Sequence, residues 1–199
     1  MDDKGEEKMG KAANSSISLK QIHVTDNFWN KYVHLVKDVI IPYQWDILND
    51  KLEDVETSHC IENFKIAAGE KEGEFQGAVF QDTDVAKWLE AVGFVLNYER
   101  DEKLEELADE TIELIGRAQQ PDGYLNTYFT IKEPDGRWSN LMEGHELYTA
   151  GHMIEAAVAY YEATGKRRFL EMYQNLQILS ARLSDRKREK SMDIRDIRK

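Results

Sequence analysis

Two amphipathic runs, Asp84 to Asn97 (DVAKWLEAVGFVLN) and Leu104 to Gln119 (LEELADETIELIGRAQ), are separated only by the short segment Tyr98 to Lys103. Their apolar residues recur every three or four positions, the period of one helix face, so the pair reads as a helical hairpin. A related pattern returns 65 residues later. Glu155-Ala156 then falls on Glu90-Ala91, Ala159 near Phe94, Ala163 on Tyr98 and Phe169 on Leu104. Hairpins at such a period cannot bury their apolar faces singly. The expected fold is therefore all-α, with hairpins stacked as a solenoid or closed into an α/α toroid.

From Phe28 to Leu52, Trp29, Tyr32, Val33, Val36, Ile40, Tyr43 and Ile47 keep helical spacing across Pro42, which predicts a kinked helix or two shorter ones. Glu53 to Phe80 shows no sustained period and contains Gly69, Gly73 and Gly77, so an irregular connection is expected. Residues 1–16 are charged and rich in small polar residues, which predicts a disordered leader. Residues 17–171 form the body. Residues 172–199 hold eight basic residues against four acidic ones, inside a chain of net charge −12, and form an atypical basic tail.

That net charge repels phosphate backbones and anionic membranes, so neither nucleic acid nor a membrane is an expected partner. No apolar run is long enough to span a bilayer. The single cysteine, Cys60, excludes an internal disulfide and has no metal-type spacing, which points to a cytoplasmic, reducing location. P-loop, dinucleotide, HExxH and GxSxG patterns are absent from the sequence.

Function is best signalled by QQPDGYLNTYF, Gln119 to Phe129, and by His145-Glu146-Leu147-Tyr148 at the start of an apolar helical run. Pro121, Asp122 and Gly123 predict a turn. Tyr124, Asn126, Tyr128 and Trp138 then form a planar, hydrogen-bonding set that suits sugar rings and equally suits packing between hairpins. His145 and His152 lie two turns apart, about 10.5 Å along a helix, too far to share a zinc ion whose ligands sit about 2 Å away. We read His145 as the pocket histidine and His152 as a packing residue. Asp82 and Asp84 precede a helix; capping is the simpler expectation, although carboxylates ~5–9.5 Å apart also serve as glycosidase acid/base pairs.

FWNKY with IPYQWDIL, IENFKIAAG, FQDTDVAKWLEA, AQQPDGYLNTYF and HELYTAGHMIEAAVAYYEATGKRRFL together resemble, in order and spacing, the N-terminal part of glycoside hydrolase family 127, the β-L-arabinofuranosidase family. The resemblance covers roughly residues 21–171. It implies part of an (α/α)6 barrel, truncated, from a retaining exo-glycosidase that removes terminal β-L-arabinofuranose, so a carbohydrate is the implied partner. It also implies, in full-length relatives, a zinc-bound cysteine nucleophile and a glutamate acid/base. Those positions fall beyond residue 199, so no catalytic residue, metal ligand or cofactor is assigned in this chain, Cys60 included. His145 carries over as a sugar-binding residue, with Asp84 and Tyr124 as pocket-side elements.

Family members continue toward a GYPGHQE-like motif. Back-translation of Ser191 to Lys199, read from the third base of each codon, permits HGYPGHQE. A frame shift near Tyr173 follows as an expectation; an intact frame in the resequenced coding DNA would sink it. Part of a toroid exposes faces meant for further hairpins, so low stability or self-association through those faces is expected. Two alternatives stay open: a non-catalytic hairpin scaffold for a protein partner, and a toroid glycosidase of different sugar preference.

Overall fold

The computed structural model describes residues 17–174. The expected leader and residues 175–199, including most of the basic tail and its frame-shift reading, lie outside the described residues. Among the described residues all regular structure is helical.

The predicted first helix is one path with a widened turn. Helix α1 (Trp29–Leu35) passes through a π turn (Val36–Ile40) into α2 (Ile41–Leu48). Pro42, at the start of α2, lacks an N–H and crowds the carbonyl four residues back; a wider turn relieves both.

The segment Glu53 to Phe80 is not wholly irregular, which corrects the sequence expectation. It contains α3 (Cys60–Ala67), whose Cys60, Ile61 and Phe64 are buried. Two local devices fix it. The Asp50 carboxylate accepts from the Ser58 and His59 backbone N–H groups, at 2.6 and 3.0 Å. The Asn63 amide exchanges hydrogen bonds of 2.8 and 3.1 Å with the backbone of Gln76.

The hairpin appears as expected, with α4 (Asp82–Tyr98) and α5 (Glu102–Ala118). Asp101 caps α5 by accepting from the N–H groups of Lys103 and Leu104. The second hairpin places α7 (Glu146–Thr164) before residues 168–174, which are again helical; Gly165, in the left-handed region at φ 77°, ends α7. Between the hairpins lies the short α6 (Thr127–Ile131), capped by Asn126.

Helices α2, α4 and α7 lie side by side in that order, with α4 packed chiefly along α7. The approach is closest at Gly93, where a Cβ would fall 2.8 Å from the carbonyl carbon of Ala159 and 2.9 Å from the nitrogen of Tyr160. Helices α3, α5 and residues 168–174 form a second layer, tied to it through Phe64, Ile112, Ile115, Phe169 and Met172. Trp88 sits in this core and donates its indole N–H to the carbonyl of Ile41 at 3.1 Å, joining α4 to α2. The 65-residue sequence repeat is thus two hairpins stacked as neighbours, the arrangement of a toroid segment.

Candidate functional site

The N-terminal ends of α4 and α7 emerge together beneath the turn Phe80–Gln81, and a hollow lies on each side of it. The larger, about 730 Å³, is walled by Gln44, Thr57, Ser58, Gln81, Asp84 and Lys87 beside Trp88. The smaller, about 420 Å³, is formed by Phe80, Leu141, Met142, His145 and Tyr148. Each hollow holds one of the predicted site residues.

His145 occupies the N-cap position of α7 with φ 53°, a left-handed conformation that costs a non-glycine residue energy and persists only where its surroundings impose it. The surroundings here are specific. Its Nδ1 lies 2.7 Å from the Glu143 carbonyl, and its ring packs against Phe80 and Tyr148 at 5.3 and 5.8 Å between centroids. A carbonyl can only accept, so Nδ1 carries the hydrogen, and in the neutral ring Nε2 is the acceptor. The histidine is therefore set to receive a hydrogen bond from a hydroxyl.

Asp84, half-buried, accepts from the Gln81 amide at 2.9 Å and lies 3.9 Å from the Lys87 ammonium. Partial burial pushes its carboxyl above the usual range, while Lys87 pulls the other way. Asp82 does something else. It is buried and accepts from the Thr127 N–H at 2.8 Å and the Thr127 hydroxyl at 2.5 Å. Neither aspartate caps α4, whose N-cap position, Gln81, makes no side-chain cap bond. Both carboxylates sit in the first turn of α4, as expected, and of the two only Asp84 lines either hollow.

Tyr124, expected as a pocket-side element, is 1% exposed and lines neither hollow. Its hydroxyl donates to Glu146 Oε1 at 2.5 Å, while Glu146 Oε2 accepts from the Trp138 N–H at 2.8 Å. Arg137 lies 4.2 Å over the Tyr124 ring. The turn before Tyr124 is as expected, with Gly123 at φ 89° and the Asp122 carboxylate accepting from the Tyr124 N–H.

Two buried carboxylates thus hold the QPDGYLNTYF segment at residues three apart, Asp82 at the start of α4 bonding Thr127 and Glu146 at the start of α7 bonding Tyr124. Each lies one or two residues from a group that faces a hollow, Asp84 or His145. Sequence reasoning missed both as anchors; their one signal is an acid in the first turn of a helix, which ordinarily means favourable placement on the helix dipole. His152, expected to pack, lies on the same side of α7 as Tyr148, 4.6 Å from that ring, with Nδ1 3.4 Å from the Glu155 carboxylate.

The described residues do not fit a zinc–thiolate centre. No three of their His, Cys, Asp or Glu side chains are grouped to hold a metal ion. Cys60 is fully buried beside the Asp82 carboxylate; burial and that charge push its thiol well above the usual range, and its S–H donates to the Gln81 carbonyl.

Comparison with known proteins agrees with this architecture. The family model described as β-L-arabinofuranosidase, GH127 catalytic domain, matches residues 21–192. A non-reducing end β-L-arabinofuranosidase of Bifidobacterium longum subsp. longum is 40% identical over 171 residues, covering 78% of this chain and 26% of the relative. The crystal structure of a GH127 β-L-arabinofuranosidase from Geobacillus stearothermophilus superposes with a TM-score of 0.76 at 64% identity, over 77% of this chain and 24% of that one. Another solved GH127 β-arabinofuranosidase gives 0.72 at 34% identity, over 80% and 25%. The chain spans about a quarter of the length of these relatives. With its stacked hairpins, its five motifs in order and a family match across most of its length, it belongs to the GH127 β-L-arabinofuranosidase catalytic-domain family.

Proposed function

We propose that this chain forms the N-terminal wall of the sugar pocket of a retaining, exo-acting β-L-arabinofuranosidase. The observation that carries the reading is His145, held in a strained backbone conformation with Nδ1 committed to Glu143 and Nε2 left as an acceptor beside Phe80 and Tyr148. A furanose presents hydroxyls around an apolar face, which suits this arrangement. Asp84 supplies a second acceptor in the adjoining hollow. Tyr124 supports the site through Glu146 instead of touching the sugar. Terminal L-arabinofuranoside is the substrate class, by analogy with what the relatives' names state. Zinc belongs, in this reading, to the remainder of a full-length enzyme.

We place the protein in the cytoplasm on the strength of its one buried, protonated thiol. Among the described residues no helix is long and apolar enough to cross a membrane. Because the described residues supply no metal-bound nucleophile, the 199-residue chain is expected to be inactive alone on a chromogenic β-L-arabinofuranoside, with or without added zinc. Appreciable zinc-dependent turnover by the purified chain would overturn that.

A further inference from the structure

Between α2 and α3 a hydroxyl, an imidazole and a carboxylate are linked in sequence. Thr57 Oγ1 lies 2.9 Å from His59 Nε2, and His59 Nδ1 lies 3.3 Å from Asp50 Oδ2. A carboxylate only accepts, so the ring hydrogen belongs on Nδ1, which leaves Nε2 to accept from the Thr57 hydroxyl. Asp50 is itself fixed, because its Oδ1 accepts from the backbone N–H groups of Ser58 and His59 at 2.6 and 3.0 Å. Nucleophile, base and orienting group in that order are what activates a hydroxyl. Two further observations set this group apart from an ordinary turn. Asp50 and His59 both hold left-handed backbone, at φ 54° and 55°, a conformation that is costly for a non-glycine residue and gathers at functional sites. Thr57 also lines the larger hollow, of about 730 Å³, together with Gln44 and Lys87, whose amide and ammonium are donors for a carbonyl oxygen.

We propose that Thr57 is the nucleophile of an acyl-transfer site, with His59 as its general base, Asp50 as the positioning residue and an uncharged acyl ester as the substrate. The hollow's acids, Glu56 and Asp84, disfavour an anionic ester, while Ile47, Leu48 and Trp88 give the acyl group an apolar wall. In the first step Thr57 Oγ1 bonds to the ester carbonyl carbon as its proton passes to His59 Nε2. The bond from that carbon to the alcohol oxygen then breaks, and the proton on Nε2 goes to the leaving oxygen. Water repeats the sequence on the acyl-threonine, releasing the carboxylic acid and restoring the hydroxyl. His145 takes no part in these steps, so the inference does not rest on the sugar-pocket reading, and the loss of either leaves the other standing.

Stopped-flow mixing of the full chain with p-nitrophenyl acetate tests it, followed by peptide mass spectrometry of the quenched protein. The expected result is a burst of about one nitrophenolate per chain, with the acetyl group on Thr57. Thr57→Ser keeps the hydroxyl and should keep the burst, whereas Thr57→Val keeps the shape and should abolish it. Thr57 is exposed, so both variants should melt like the parent. His59→Gln and Asp50→Asn should slow the burst by about a hundredfold or more, the scale of losing a general base or the group that orients it. In Asp50→Asn the amide oxygen can still accept from the Ser58 and His59 N–H groups, so a slowed burst with an unchanged melt reports orientation of the imidazole and not loss of the fold. No burst, acetyl groups on lysines alone, or a Thr57→Val burst equal to the parent's would overturn the proposal. So would His59→Gln and Asp50→Asn variants that react like the parent, because the three residues would then do no more than brace the loop.

Discussion

Replacing Gly93 with alanine is expected to destabilise the protein by about 3 kcal/mol, at the upper end of what overpacking a core costs. The new Cβ would lie 2.8 Å from the Ala159 carbonyl carbon and 2.9 Å from the Tyr160 nitrogen. These are backbone atoms of a packed helix, so no flexible side chain can swing aside. The two helices must separate along their shared face, which carries Leu89, Val92, Met153 and Ala156. For a domain of this size the change corresponds to a drop in Tm of about 10 °C. Gly151→Ala is the matched control. Its site is open and lies inside α7, so removing the glycine's backbone freedom should stabilise the chain by about 0.5–1 kcal/mol. Thermal unfolding followed by circular dichroism reads both, and equal losses at the two positions would mean that α4 and α7 do not approach as described.

Asp82→Asn is expected to remove a large part of the pH dependence of stability. Burial pushes the Asp82 carboxyl up to about 6 from an ordinary 3.8, against the opposing hydrogen bonds from Thr127. A folded-state value above the unfolded one means that the native protein holds this proton more tightly. Its stabilising contribution is therefore complete below pH 3.8 and lost as the pH rises through about 6. The difference of roughly two pKa units corresponds to about 3 kcal/mol. Asparagine keeps the shape and can still accept from the Thr127 N–H, while its amide can donate to the hydroxyl. Urea denaturation at about pH 4 and about pH 7.5, either side of the transition, should show the wild-type difference shrinking by about 2–3 kcal/mol in the variant. An unchanged difference would mean that Asp82 does not titrate as a buried group.

The parts of this fold that were legible from sequence are those set by periodicity. The hairpin of α4 and α5, the start of α7 at Glu146 and the turn at Gly123 all follow from local spacing and turn chemistry. The missed helix α3 is eight residues long and begins after His59 at φ 55°, so neither a long repeat nor a capping residue announces it. Its position is fixed by Asp50 and by Gln76, nine and thirteen residues from their partners His59 and Asn63. The site was half legible for a related reason. The two proposed sugar contacts, His145 and Asp84, stand at helix starts, where a sequence signal is strongest. Tyr124, Asp82 and Glu146 make their bonds across 22 or 45 residues, and such pairings are decided by packing that no local pattern encodes. In the sequence Tyr124 suited both a sugar ring and packing between hairpins, and in the structure it is buried against Arg137 and Glu146.

The most direct test of the sugar-pocket assignment is titration of the chain with methyl β-L-arabinofuranoside, followed by ¹H–¹⁵N NMR of the histidine side chains. Saturable shifts at His145, with Nδ1 protonated and Nε2 the perturbed nitrogen, are the expected result. His145→Ala should weaken binding by about tenfold or more, the share of one or two hydrogen bonds to the sugar. An unchanged affinity in His145→Ala, or no response of the His145 ring at saturating sugar, would contradict the assignment.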